Sequence, residues 1–114
     1  MYLKISNNEI CYKISQDEAQ TLLSGTELNE VLELSHSNGV KYQIKLTQQG
    51  NQFDYSRNDN SYNLSINQNQ LEQEINPKPS KKGLCFEKDV FSESSNQPLT
   101  ICLQVDLKKI KKQV

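Results

Sequence analysis

Hydrophobic and polar residues alternate along residues 2–14, YLKISNNEICYKI, with the two-residue period of a β-strand. A turn at residues 7–8, where asparagine tolerates a positive φ angle, places Ile5 opposite Ile10. One side of the resulting hairpin is apolar and the other is mostly polar. The pattern therefore predicts a half-buried β-hairpin at the start of the chain.

The next four residues, SQDE (15–18), predict the start of a short helix. Ser15 is suited to cap the helix, and Glu18 is suited to reach back to the Ser15 backbone N–H in a capping box. Gly25 is a typical helix end. The helical period places three apolar residues on one face, namely Ala19, Leu22 and Leu23.

A second pair of strands is predicted after this helix. ELNEVLELS (27–35) leads through a turn at 37–39 into VKYQIKLTQ (40–48), where apolar and polar residues alternate strictly. The alternation predicts that residues 40–48 form a strand with one face in the core.

The second half of the chain repeats this order of elements. FDYSR and SYNLSI flank a turn at 58–60, and Asn67 is suited to cap a helix that carries Leu71 and Ile75. A Pro/Lys/Gly connector leads to two more strand patterns, LCFEKDVF (84–91) and LTICLQVDL (99–107).

An internal duplication is one interpretation of this recurrence, and chance reuse of a hairpin–helix unit is the other. At an offset of 52, one set of residues maps onto a second set with the same roles: Ile10, Tyr12, Ile14, Ser15, Glu18 and Leu23 onto Tyr62, Leu64, Ile66, Asn67, Gln70 and Ile75. The repeat halves would be 1–48 and 53–107, followed by a basic end at 108–114.

The order of elements predicts one α+β domain over residues 1–114. It has about eight short, mostly antiparallel strands and two short helices. We expect the strands to form a curved or barrel-like sheet.

The charge composition argues against nucleic acid and membranes as partners. The net charge is −1, and Arg57 is the only arginine among 13 basic residues, so the chain is poorly equipped for bidentate phosphate or base recognition. No run approaches the roughly 20 apolar residues of a membrane span. These features predict a cytoplasmic protein.

Sequence motifs assign no catalytic residue, metal site or cofactor. Cys11, Cys85, Cys102 and His36 are each isolated in the sequence, and neither a CxxC motif nor a phosphate-binding glycine loop is present. In a cytosolic protein we expect the cysteines to be reduced, with Cys85 and Cys102 acting as small buried residues of strands.

Three adjacent charged residues in LCFEKDVF form the candidate binding site. Strand alternation places Glu87 and Asp89 on one face but places Lys88 on the apolar face. Three outcomes are open, because a buried ammonium is costly unless it is paired. The strand ends or bulges and releases Lys88 to solvent, the side chain extends its ammonium to water, or Lys88 meets a carboxylate in a polar pocket.

Three stretches resemble a small bacterial domain family of unknown function. They are MYLKISNNEICYKISQDE (1–18), GTELNEVLEL with VKYQIKL (25–34 and 40–46), and LCFEKDVF (84–91). After Asp89 the chain departs from the family pattern, because Val90 precedes the aromatic residue. The resemblance implies a shared fold and brings no functional residues.

Taken together, these features favour a non-enzymatic module for interaction or ligand binding. The expected partner is an unknown protein or a second copy of the chain, joined through a sheet edge. The alternative is an enzyme or small-molecule binder with a polar pocket built around Glu87, Lys88 and Asp89.

Overall fold

The computed structural model describes residues 1–33, 39–76, 78–88 and 98–106. The basic end at 108–114 therefore lies outside the described residues, and the predicted turn at 37–39 lies outside them except for residue 39. The elements, in chain order, are β1 (Tyr2–Ser6), β2 (Glu9–Ile14), α1 (Gln16–Leu23), β3 (Leu28–Glu33), β4 (Gly39–Thr47), β5 (Gln52–Ser56), β6 (Ser61–Asn67), α2 (Gln68–Ile75), β7 (Leu84–Lys88) and β8 (Leu99–Val105).

These strands form two four-stranded sheets in place of the single curved or barrel-like sheet that we expected. Sheet A has the order β1-β2-β8-β7, and sheet B has the order β3-β4-β6-β5. In each sheet the central pair is parallel and the two outer pairs are antiparallel. The α+β class is confirmed, and the described residues contain eight strands and two helices, in agreement with the prediction. The division into two sheets arises because each half of the chain contributes one hairpin to each sheet.

The first hairpin has the predicted register. Ile5 lies opposite Ile10, and Leu3 lies opposite Tyr12. Asn8 adopts a φ angle of 60°, which is the left-handed conformation that the tight turn requires. The apolar residues of both strands therefore share one face, as the alternation predicted.

The capping box of α1 is present as predicted. The Ser15 hydroxyl accepts a hydrogen bond from the Glu18 N–H at 3.0 Å, and the Glu18 carboxylate accepts one from the Ser15 N–H at 2.9 Å. These two bonds satisfy backbone donors that a helix start leaves without intrahelical partners.

Helix α2 has a similar cap, in which the side chain of Asn51 links the capping residue Asn67 to Gln70. The Asn67 side chain accepts from the Gln70 N–H at 3.1 Å, but the Asn67 N–H donates to the Asn51 side chain at 2.7 Å. The Asn51 amide then donates to the Gln70 side chain at 2.8 Å. Asn51 thus closes the box that Glu18 closes directly in α1.

Equivalent contacts occur at equivalent places in the two halves. Asn8 and Asn60 both have positive φ angles immediately before β2 and β6. The Asn8 carbonyl accepts from the Thr100 N–H at 2.8 Å, and the Asn60 carbonyl accepts from the Lys41 N–H at 3.1 Å. Exchanging the halves therefore maps each parallel strand pair onto the other. A duplication as the origin of this correspondence stays a prediction.

The inward faces of the two sheets and one face of each helix share a single hydrophobic cluster. Tyr12 of sheet A is fully buried, and its ring meets the ring of Phe53 of sheet B edge-on, with centroids 6.5 Å apart. Leu22 of α1 and Leu71 of α2 are also fully buried. Each such large side chain contributes about 1.5–3 kcal/mol by leaving water, so this cluster is the main source of stability.

Candidate functional site

Lys88 is the last residue of β7, and its side chain joins the edges of the two sheets. The ammonium donates a hydrogen bond to the backbone carbonyl of Phe53 in β5 and lies 5.7 Å from the centroid of the Phe53 ring. No carboxylate among the described residues lies within ion-pair distance. Lys88 is therefore half-buried on the apolar side, as strand alternation predicted, with a carbonyl and an aromatic face as its described partners.

The other two predicted site residues do not share this environment. Glu87 is exposed on the outward face of sheet A, where it lies opposite Thr100 of β8. Asp89 lies outside the described residues. Because Glu87 and Lys88 point to opposite faces of one strand, the described structure does not bring their side chains together.

The outward face of sheet A instead brings all three cysteines into one row. Cys102 on β8 is the register partner of Cys11 on parallel β2 and of Cys85 on antiparallel β7. Cys85 and Cys102 form a disulfide, and Cys11 is a free, buried thiol. The expectation that the cysteines are reduced is wrong for this pair, and the expectation that Cys85 is buried is also wrong, since Cys85 is exposed.

The corresponding row of sheet B shows that the fold does not require cysteine at these positions. Exchanging the two halves maps the three cysteines onto Asn29, Gln43 and Asn63, which are register partners across β3, β4 and β6. The equivalent row is therefore built from amides.

An open cavity of about 440 Å³ lies beside the disulfide. Its volume is within the range of small-molecule sites, roughly 300–1,000 Å³. The cavity is lined by Glu9, Lys82, Cys85, Phe86, Glu87, Thr100 and Cys102. Among the predicted site residues, Glu87 therefore contributes to a cavity, and it does so together with the disulfide.

Burial controls the ionisation of two groups near these features. It raises the pKa of the Cys11 thiol, and the charge of Glu9 adds to this while the charges of Lys13 and Lys4 oppose it. Burial also raises the pKa of Tyr12 well above its ordinary value, and the nearby Tyr62 adds to the effect. Both side chains therefore remain protonated at neutral pH.

The edge of sheet B formed by β3 is the second candidate surface. Val31 is 58% exposed and Leu32 is 53% exposed, and they point to opposite faces of the strand. On the β1 edge of sheet A, Ile5 is 56% exposed, but that strand also carries Lys4, a residue type that protects edges from pairing. β3 contains neither lysine nor proline, and its charged residues are Glu30 and Glu33.

The described residues contain neither a cluster of metal-ligand side chains nor a helix that could cross a membrane. Within those ranges, no three Cys, His, Asp or Glu side chains are grouped so that they could hold a metal ion. His36 lies outside the described residues. None of the described helices has both the length and the apolar character needed to cross a membrane.

Comparison with known proteins places the chain in a family. No curated protein gives a significant match. No solved structure gives a significant match either. One family model matches almost the whole chain, residues 1–113, in agreement with the resemblance seen in the sequence. The chain belongs to the Family of unknown function (DUF7009).

Proposed function

We propose that this chain is a non-enzymatic interaction module of the bacterial cytoplasm, and that it pairs with a second copy of itself through β3. The observation that supports this proposal is the exposure of Val31 and Leu32 on a strand that pairs on one side only among the described residues. Edge strands with exposed apolar residues are templates for pairing with another strand.

An antiparallel pairing centred on Val31 suits the sequence of β3. Val31 lies opposite its own copy, Glu30 lies opposite Leu32, and Asn29 lies opposite Glu33. No two like charges are then directly opposite, whereas a register centred on Glu30 would oppose two carboxylates. Two-fold symmetry makes each contact occur twice.

The expected affinity is modest. Covering a half-exposed valine or leucine contributes roughly 1 kcal/mol, so four such side chains contribute about 4 kcal/mol besides the new backbone hydrogen bonds. Association costs at least a comparable amount in lost translational and rotational freedom. The net affinity then comes from the new backbone hydrogen bonds, and about four to seven of them at roughly 1 kcal/mol each correspond to a dissociation constant between about 10 µM and 1 mM.

Sedimentation equilibrium of the wild-type chain and two variants tests the proposal. Val31→Lys places two ammonium groups opposite each other at the centre of the pair and should leave a monomer at every concentration. Ile5→Lys is the matched control, because Ile5 has nearly the same exposure on the edge of the other sheet. If Ile5→Lys loses the dimer and Val31→Lys keeps it, the chains pair through β1 and not through β3. If the wild-type chain is a monomer at 1 mM, self-association is refuted.

The Cys85–Cys102 disulfide does not decide this function. Disulfides in the cytosol are usually transient, since glutathione and thioredoxin reduce them. The β3 edge belongs to the other sheet, so its pairing does not depend on the bridge. The same sedimentation measurement with and without dithiothreitol should therefore give the same dissociation constant.

A further inference from the structure

The cysteine row lies on the outward face of sheet A, whereas the β3 edge belongs to sheet B. Cys102 lies between Cys85, to which it is bonded, and the free thiol of Cys11. We infer that the row is a thiol–disulfide exchange site in which Cys102 pairs alternately with Cys85 and Cys11.

The sheet geometry permits both pairings without a change of register. The Cα atoms of the bonded register partners Cys85 and Cys102 lie 4.1 Å apart. Register partners on adjacent strands are typically about 4.8 Å apart with their side chains on the same face, and this typical separation is within the range of roughly 4.4–6.8 Å that disulfides usually span. Cys11 and Cys102 are such partners on the parallel strands β2 and β8, so the typical separation of their Cα atoms is one that a disulfide can span.

The exchange step conserves atoms and electrons. The Cys11 thiolate, having lost its proton to solvent, attacks the Cys102 sulfur and forms the Cys11–Cys102 bond. The Cys85–Cys102 bond breaks, and Cys85 leaves as a thiolate that takes a proton from solvent. No external oxidant is needed, because one disulfide replaces another.

The step changes which sulfur is accessible. Cys11 and Cys102 are each only 6% exposed, whereas Cys85 is exposed at the cavity beside Glu87 and Lys82. A Cys11–Cys102 bond therefore buries the disulfide and presents a free thiol at the cavity. The chemical class that this site would accept is a low-molecular-weight thiol or disulfide.

A purely structural disulfide would not explain the third cysteine. One bridge needs two cysteines, and the equivalent row of sheet B carries amides at all three positions. Exchange requires a third thiol within reach of the disulfide, and Cys11 meets this requirement as the register partner of Cys102, although its burial opposes formation of the thiolate.

The charges around Cys11 set the pH dependence of the step. Lys4 faces Cys11 from β1, Glu9 and Lys13 flank it on β2, and the β8 residues next to it are uncharged. Burial keeps Cys11 in its thiol form at neutral pH, so the attacking thiolate is scarce there. The exchange rate should rise about tenfold per pH unit below the Cys11 pKa, since rate follows the thiolate fraction.

Tryptic mapping can identify each bridge, because the three cysteines fall on different peptides. Cleavage after lysine gives residues 5–13, 83–88 and 89–108, each with one cysteine. The oxidised wild-type chain is incubated at pH 7.5 and 8.5, free thiols are trapped with N-ethylmaleimide, and linked peptides are identified by mass spectrometry. We expect a population in which 5–13 is linked to 89–108 and Cys85 is alkylated, forming about ten times faster at pH 8.5.

Single variants oxidised with glutathione disulfide provide the matched comparison. Cys11→Ser should close Cys85–Cys102, Cys85→Ser should close Cys11–Cys102, and Cys102→Ser should close no bridge within the chain. If Cys85→Ser is folded by circular dichroism but leaves Cys11 free, the exchange site is refuted. If that variant does not fold, the wild-type map decides, and a wild-type chain with only the Cys85–Cys102 link at both pH values also refutes it.

Discussion

Replacing Gly83 with alanine should destabilise the chain much more than the same change at Gly25. Both glycines have positive φ angles, 78° and 98°, which cost an L-residue about 1–2 kcal/mol. The two sites differ in space. A Cβ atom at Gly83 would lie 2.6 Å from the backbone oxygen of Leu103, whereas a Cβ at Gly25 meets nothing within 4 Å.

The clash at Gly83 cannot be relieved by rotating a side chain. The nearest atoms belong to the backbone of β8, which is anchored by the fully buried Leu103 and Val105. Separating β7 from β8 enough to admit the methyl group should cost a further 1–3 kcal/mol, as overpacking of a core does. We therefore expect Gly25→Ala to lose about 1 kcal/mol and Gly83→Ala to lose about 3 kcal/mol.

Urea unfolding followed by circular dichroism measures this difference. Both variants must be unfolded with the Cys85–Cys102 disulfide intact, so that its contribution to the unfolded state is the same. The midpoints, converted with the measured m-values, give the two losses of unfolding free energy. Equal losses would refute the reasoning, because the backbone angle would then explain both and the close approach of β8 would contribute nothing.

Three other substitutions test single contacts. Tyr12→Phe should stabilise the chain by about 1 kcal/mol, because the Tyr12 hydroxyl is buried with no hydrogen-bond partner among the described residues. Burial also raises the pKa of Tyr12, so the fold loses stability above about pH 10, where the hydroxyl ionises in the unfolded chain but not in the folded one. Tyr12→Phe should remove that part of the alkaline slope, about 1.4 kcal/mol per pH unit. Burial alone would raise the pKa of Glu18, but hydrogen bonds from the N-terminal ammonium and the Ser15 backbone lower it. Glu18→Gln should therefore be less stable than the wild-type chain at pH 7 by on the order of 1 kcal/mol. This difference should disappear as the pH falls below 4, because the wild-type carboxylate is then protonated. Lys88→Met should lose about 1 kcal/mol of unfolding free energy because the Phe53 carbonyl loses its hydrogen-bond donor, and Lys88→Arg should retain most of it. Chemical denaturation of each variant measures the effects at Tyr12, Glu18 and Lys88.

Local features of the fold were predictable because local contacts determine them. The turn at Asn8, the caps at Ser15 and Asn67 and the apolar face of β4 each depend on residues a few positions apart. The helix α1 begins and ends where its capping residues predict. Such features follow from backbone geometry and hydrogen bonding within a single hairpin or helix.

The division into two sheets was not predictable in the same way. Strand periodicity shows which residues share a face, but it does not show which strands lie side by side. The pairing of β2 with β8 joins residues 9 and 100, and no local pattern records that contact. A curved sheet and two sheets built from exchanged hairpins have the same alternation along the chain.

The candidate site shows the same limit at the level of single residues. Alternation correctly placed Lys88 on the apolar face, yet its partner is a backbone carbonyl of β5, which any residue at position 53 would supply. The cysteines looked isolated because 74 and 17 positions separate them in sequence, while the sheet places all three in adjacent strands.

The inward and outward faces of the two sheets differ in how strongly packing constrains their residues. The inward rows of both sheets are apolar and belong to one core, so their residue types are constrained by packing. The outward rows differ, with amides on sheet B and cysteines on sheet A, although the strand pairings are equivalent. The same strand pairing therefore accommodates different residue types in the two outward rows. Replacing Asn29, Gln43 or Asn63 with serine should change the unfolding free energy by less than about 0.5 kcal/mol, as is usual for surface sites. A loss above 2 kcal/mol at these positions, measured by urea unfolding, would show that the outward rows are under the same packing constraint as the core.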